Sequence, residues 1–129
     1  MIYLDTSVLL AQLFSETRRP PSELWNHTLV SSRLLEYESW NRVHAYALGD
    51  AEREGLRALL ATVAFVELEP SVLQRALEPF ERPVRTLDAL HLASAAFVRT
   101  EVGSIAIASY DDRLLAAAAT LDLEAYSLP

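Results

Sequence analysis

The sequence contains no cysteine and no lysine, and only three glycines, Gly49, Gly55 and Gly103. Without thiols, zinc-ribbon sites, thiolate catalysis and disulfide redox chemistry are excluded, and the chain suits a reducing compartment. Without lysine there is no Gly-Lys-Ser/Thr phosphate loop, no Schiff-base enzyme and no receiver-type phosphoacceptor, which sets a lysine beside its aspartate. Three scattered glycines leave no dinucleotide fingerprint. Long apolar runs are missing as well. No stretch approaches the roughly 18 uncharged residues of a membrane span, and Met1-Ile2-Tyr3-Leu4-Asp5 has neither the basic nor the apolar region of a signal peptide. A cytoplasmic protein is expected.

What is present is a chain of 129 residues, 51% hydrophobic. Residues 1–129 are expected to form one domain, since a chain of this size buries roughly two thirds of its unfolded surface without staples. All eleven basic residues are arginine and stand against eighteen acids, for a net charge of -7.

Apolar residues 1–4 read as a strand, and Val8 to Phe14 as a helix with Thr6 or Ser7 as N-cap. Residues 15–22 read as a loop, because Pro20-Pro21 cannot sit inside a helix, and a short helix through Trp25 follows. Thr28 to Val30 suggests a strand, Arg33 to Leu48 a helix stopped by Gly49, and Asp50 the cap of a helix to about Ala61. Val63 to Leu68 is a further strand, followed by a helix that starts at Pro70 or Ser71 and ends by Pro79. Thr86 would cap a helix from Leu87 to about Arg99. Ser104 to Ala108 reads as a strand, Asp111 to Thr120 as a helix, and Glu124 to Tyr126 as a last strand. Alternating strands and helices predict an α/β fold with a mainly parallel sheet and helices on both faces.

In such sheets ligands bind beyond the carboxyl ends of the strands. Asp5 follows the first strand directly, Asp111 lies three residues after Ala108, and Asp88 opens the helix after Thr86. Glu36 and Glu38 compete for a fourth position. The helical neighbours of Glu38 include Leu34, Leu35 and Ala45, whereas those of Glu36 include Ser32, Arg33 and Ser39, so Glu38 is the one among core-facing positions. Each aspartate has an alternative use as a helix cap or a first-turn charge. Four converging carboxylates would repel one another unless a hard divalent cation, Mg²⁺ or Mn²⁺, offsets them.

On these residues the chain resembles the PIN domains, and within them the VapC-type toxin ribonucleases of bacterial toxin-antitoxin pairs. The resemblance is carried by Tyr3-Leu4-Asp5-Thr6-Ser7, Ser32-Arg33-Leu34-Leu35-Glu36-Tyr37-Glu38, Leu87-Asp88-Ala89-Leu90-His91-Leu92-Ala93 and Ser109-Tyr110-Asp111 with Arg113-Leu114. It implies a three-layer α/β/α PIN-like fold, with Asp5, Glu38, Asp88 and Asp111 holding Mg²⁺ or Mn²⁺. It also implies that hydroxyls at Thr6 or Ser7 and at Ser109 orient ligands or water. Counting from Leu34 along the family pattern favours Glu38 over Glu36, and spacing from the strand favours Asp111 over Asp112. The activity implied is metal-assisted hydrolysis of RNA phosphodiester bonds, leaving a 3′-hydroxyl and a 5′-phosphate. The implied partners are an RNA substrate, a small VapB-like antitoxin and a second copy in a homodimer.

A net charge of -7 opposes RNA binding, so the phosphate footprint must come from arginines, with Arg18, Arg19, Arg33, Arg42, Arg85 and Arg113 nearest the motifs or in the exposed loop. His91, three residues after Asp88, shares its helix face and is either a metal ligand or a packed, hydrogen-bonded residue. Two other functions remain open, a housekeeping RNA-processing nuclease and a non-catalytic interaction module whose acids only cap helices. A haloacid-dehalogenase-like phosphatase is disfavoured, because it needs an aspartate where Ser7 stands, and a lysine.

Overall fold

The computed structural model describes residues 1–14 and 17–129. Ser15 and Glu16, part of the loop expected over residues 15–22, lie outside the described residues. In chain order the elements are β1 (Ile2–Leu4), α1 (Thr6–Leu13), a 3-10 helix (Ser22–Asn26), β2 (Leu29–Ser32), α2 (Arg33–Ala45) and α3 (Asp50–Leu60). They continue with β3 (Val63–Val66), α4 (Pro70–Leu77), α5 (Thr86–Val102), β4 (Ala106–Ala108), α6 (Asp112–Ala119) and β5 (Glu124–Ala125). Among the described residues no helix is long and apolar enough to cross a membrane.

The five strands form one parallel sheet in the order β3-β2-β1-β4-β5. β1 is central, with Tyr3 opposite Val30 on one side and Ile107 on the other. A central parallel strand is covered on both faces and carries apolar residues throughout. Ile2 and Leu4 enter a core shared with Val8 and Leu9 of α1, Leu35 and Val43 of α2, and Leu56 and Leu60 of α3. Tyr3 points the other way, into a second core with Leu92, Ala95 and Val98 of α5 and Leu114, Ala117 and Ala118 of α6. The result is the expected three-layer α/β/α arrangement. From β1 the chain first builds outward through β2 and β3, then returns to the other side of β1 with β4. That reversal makes the carboxyl ends of β1 and β4 a topological switch point, where the diverging connections leave a crevice.

Several element ends differ from the sequence expectation. α1 starts at Thr6 with Asp5 in the N-cap position, so Thr6 and Ser7 are helical and not caps. β2 runs on through Ser31 and Ser32, and Ser32 then caps α2 by accepting from the Leu34 amide. α3 is capped by Gly49, with Asp50 as its first residue, and α5 begins at Thr86 itself and runs three residues past Arg99, to Gly103 at φ +92°. β3, β4 and β5 are shorter than expected, and α6 begins at Asp112.

α2 ends at Ala45 instead of reaching Leu48. Ala47 takes a left-handed conformation (φ 51°), and the Leu48 and Ala47 amides donate to the carbonyls of Val43 (3.4 Å) and His44 (3.1 Å). That pair of bonds is the Schellman closure, which glycine normally supplies. An alanine there keeps its Cβ against the carbonyl that the left-handed turn brings near. Ala47→Gly is therefore expected to stabilise the protein by about 0.5–1 kcal/mol. Urea unfolding checks this, with a raised midpoint at unchanged m as the expected result.

A candidate active site at the carboxyl ends of β1 and β4

Asp5 leaves β1 at the switch point and is only 8% exposed. Its side chain does not cap α1. Instead Oδ2 accepts from Ser7 Oγ (2.6 Å) and Ser109 Oγ (2.7 Å), and each serine is itself held by a backbone amide, Ser7 by Tyr110 N (3.1 Å) and Ser109 by Asp111 N (2.9 Å). A hydroxyl has one proton to give, so these amide bonds turn both protons onto Asp5. Oδ1 takes no hydrogen bond among the described residues.

Glu38, one turn into α2, repeats the arrangement. Its Oε1 accepts from Thr6 Oγ1 (2.8 Å) and pairs with His91 Nε2 (2.5 Å), while Oε2 has no hydrogen-bond partner among the described residues. Tyr3, fully buried, decides the histidine's state. Its hydroxyl accepts from the Ser32 amide (3.1 Å), so its proton goes to His91 Nδ1 (2.8 Å), and Nε2 carries the hydrogen that reaches Glu38. Burial pushes the Tyr3 phenol well above its ordinary value, which keeps it a donor. For Glu38, burial opposes ionisation, but the hydrogen bonds from His91 and Thr6 and the Arg42 charge outweigh it and hold the carboxyl below the usual range. His91 is thus the packed, hydrogen-bonded residue of the two alternatives.

Glu36 stays apart. It pairs with Arg33 (3.5 Å), which also grips Glu67 and lies over the Phe65 ring. The helical periodicity had already separated the two glutamates in this sense.

Asp88 and Asp111 form a second pair. Asp111 caps α6, its Oδ1 accepting from Arg113 N (3.0 Å) and Leu114 N (3.2 Å), so the capping alternative applies to this residue. Its Oδ2 faces the Arg85 guanidinium (3.5 Å), and Arg85 Nε lies 3.3 Å from Asp88 Oδ2. A cavity of about 750 Å³ opens over the site, lined by Asp5, Glu38, Arg18, Arg42, Arg85 and Tyr110 among others. Arg18 is held over the Tyr110 ring at 4.6 Å and Arg42 over the Tyr46 ring at 5.8 Å. The cavity wall therefore sets three guanidiniums against two carboxylates in a chain whose net charge is -7. Arg19, Arg33 and Arg113 are not in that wall.

The chemistry of these donors suits a hard divalent ion, because Asp5 and Glu38 line the same cavity and each keeps one carboxylate oxygen without a hydrogen bond among the described residues. Among the described residues no three Asp, Glu or His side chains gather closely enough to enclose a cation. The remaining two carboxylates face a cation already, the guanidinium of Arg85. Sequence reasoning missed Tyr3, Tyr110 and the bridging role of Arg85, since neither periodicity nor motif spacing reveals a pairing made across elements.

Fold and site together define an α/β domain with paired acids in an arginine-walled crevice at its switch point. The PIN domain family model matches residues 2–120, and the chain belongs to the PIN-domain family and is of the VapC type. It is 34% identical to "Ribonuclease VapC46" of Mycobacterium tuberculosis over 95% of this chain and 93% of that protein. It is 33% identical to "Ribonuclease VapC47" of the same species, over 89% and 88%. Among solved structures it resembles PAE2754 from Pyrobaculum aerophilum, with a TM-score of 0.62 and 26% identity over 90% of this chain and 78% of that one.

The lowered Glu38 carboxyl makes a prediction about pH. A group whose folded value lies below its unfolded one, ordinarily 4.5, stabilises fully above that value, and its contribution is lost as pH falls through the folded one. The Tm difference between the wild-type protein and Glu38→Gln is expected to be constant from pH 7 to about 5 and to shrink below about 4.5. A difference independent of pH down to 3 counts against the His91 and Thr6 account of Glu38.

Proposed function

We propose that the protein is a metal-dependent endoribonuclease, the toxin of a VapBC-type toxin-antitoxin pair, working in the cytoplasm with Mg²⁺ or Mn²⁺. One observation carries this reading: Asp5 and Glu38 line one arginine-walled cavity, and each has one oxygen pinned by two donors and the other without a hydrogen bond among the described residues. The names of the two mycobacterial relatives support ribonuclease activity and a VapB-like antitoxin.

Asp5, Glu38, Asp88 and Asp111 would hold the metal. When bound, a divalent ion supplies the Lewis acidity that polarises a phosphodiester and lowers the pKa of water. The protein's own residues do the rest. Ser7 and Ser109 fix the Asp5 carboxylate, and Thr6 with His91 fixes Glu38, so the ligand oxygens need no reorganisation. Arg18 and Arg42 supply the charge that a net-acidic protein must bring to the RNA backbone. A housekeeping RNA-processing role would use the same site, and growth arrest on induced expression separates the two biologies.

A homodimer is part of the proposal. Leu77 is 80% exposed and, with Leu73, Phe80 and Val84, lines an apolar groove of about 520 Å³ between α4 and α5. A small chain with such a face gains by burying it against a second copy. Pooling the arginines of two copies also gives the RNA a longer cationic path, which a basic antitoxin tail would block by reaching the carboxylates.

Asp5→Asn, Glu38→Gln, Asp88→Asn and Asp111→Asn are each expected to lower metal-dependent RNA cleavage by about 10²-fold or more, as for loss of a metal ligand or its support. Glu36→Gln and Asp112→Asn should stay within a few-fold of wild type. An active Glu38→Gln beside a dead Glu36→Gln would overturn the site. In the same preparations, Mn²⁺ should raise Tm saturably in the wild-type protein and not in Asp5→Asn. A melting curve unchanged across the titration would favour the module whose acids only cap helices.

A further inference from the structure

Resting on the metal-site reading above, we infer that Arg85 is a resident counter-cation, which holds Asp88 and Asp111 until a divalent ion displaces it. Arg85 occupies the N-cap position of α5 and reaches Asp88 on its own first turn through Nε (3.3 Å) and Asp111 at the start of α6 through Nη2 (3.5 Å). Two carboxylates on separate elements, 21% and 28% exposed, are thereby bridged by one fork of donors. The opposite pair, Asp5 and Glu38, has no arginine within ion-pair distance among the described residues and is held by hydrogen bonds from hydroxyls and a histidine instead. The guanidinium explains why no three acids close on one point among the described residues: half of the acidic set is engaged elsewhere.

Arg85 is also exposed, its side chain at 71%, so it can leave without uncovering a core. Its two ion pairs are long and solvated, and such pairs are individually weak. The competitor's hold on the site is therefore several-fold, not orders of magnitude. Displacement leaves the guanidinium at the wall of the same cavity, free to meet an RNA phosphate beside Arg18 and Arg42. A phosphate that takes Arg85 favours metal binding, and by linkage metal binding favours the phosphate. The position asks for arginine, whose planar fork spans two carboxylates, where a lysine would offer a single point of charge.

The test measures Mn²⁺ binding by calorimetry, without RNA, for wild-type protein, Arg85→Gln and Arg42→Gln. Arg42 lines the same cavity but bridges no pair of acids. Arg85→Gln should bind Mn²⁺ about three- to tenfold more tightly than wild type, and by a clearly larger factor than Arg42→Gln. In wild-type protein, the Arg85 Nε–H resonance should move to the position of a free arginine as Mg²⁺ saturates. Equal gains in the two variants would mean that any nearby charge suffices, and overturn the inference, as would an unmoved Arg85 resonance or unchanged affinity in Arg85→Gln. Absence of Mn²⁺ binding in all three proteins would overturn the metal-site reading together with it. Binding by all three at one affinity would overturn this inference alone.

Discussion

Keeping the Asp5 carboxylate nearly out of water is the constraint around which the carboxyl end of the sheet is organised. A buried carboxylate is tolerated only with donors close at hand, and at 8% exposure Asp5 recruits two serine hydroxyls to a single oxygen. One serine is on α1, and the other, 104 residues from Asp5, directly follows β4. Because each serine also accepts a backbone amide of the segment after β4, the same four bonds dock that segment onto β1 and set where α6 begins. Ser31, donating to the Leu4 carbonyl at 2.6 Å, ties the end of β2 to the same point.

Glu38 meets the same constraint with different parts. Its donors come from α1 and α5, and behind the histidine stands the buried Tyr3 of β1, so four elements agree on the position of one carboxylate. In both cases one oxygen accepts two hydrogen bonds and the other accepts none among the described residues. Asp88 and Asp111, more exposed, are governed by a guanidinium and by a helix terminus. The absence of lysine has a structural side here, because every cation in the cavity is a planar arginine, two of them laid over tyrosine rings.

Much of this was legible beforehand. Strand and helix order, the parallel sheet and the placing of Glu38 and Glu36 on different faces of α2 follow from periodicity, since a residue's face on a helix depends only on its spacing from its neighbours. Element ends were less legible. Thr6 and Ser7 are good caps, yet Asp5 takes the cap position because both hydroxyls are needed for carboxylates, and Gly49 is a good stop signal, yet Ala47 closes α2 first. The bland reading of Asp111 as a cap is correct for one of its oxygens, while the other faces Arg85.

By itself the sequence determined the set of possible chemistries. Without cysteine, lysine or a glycine-rich loop, thiolate, Schiff-base and phosphate-loop sites are excluded, and local patterning places carboxylates near strand ends and helix starts. Only the tertiary structure decided which oxygen of each carboxylate is left open, which tautomer His91 takes, and that Arg85 stands between two acids. Those outcomes depend on pairings such as Ser109 with Asp5 or Tyr3 with His91, made by residues far apart in the chain. Hydrogen bonds at 2.5–2.8 Å are decided by how the helices pack on the sheet, and no local property of the sequence encodes that distance.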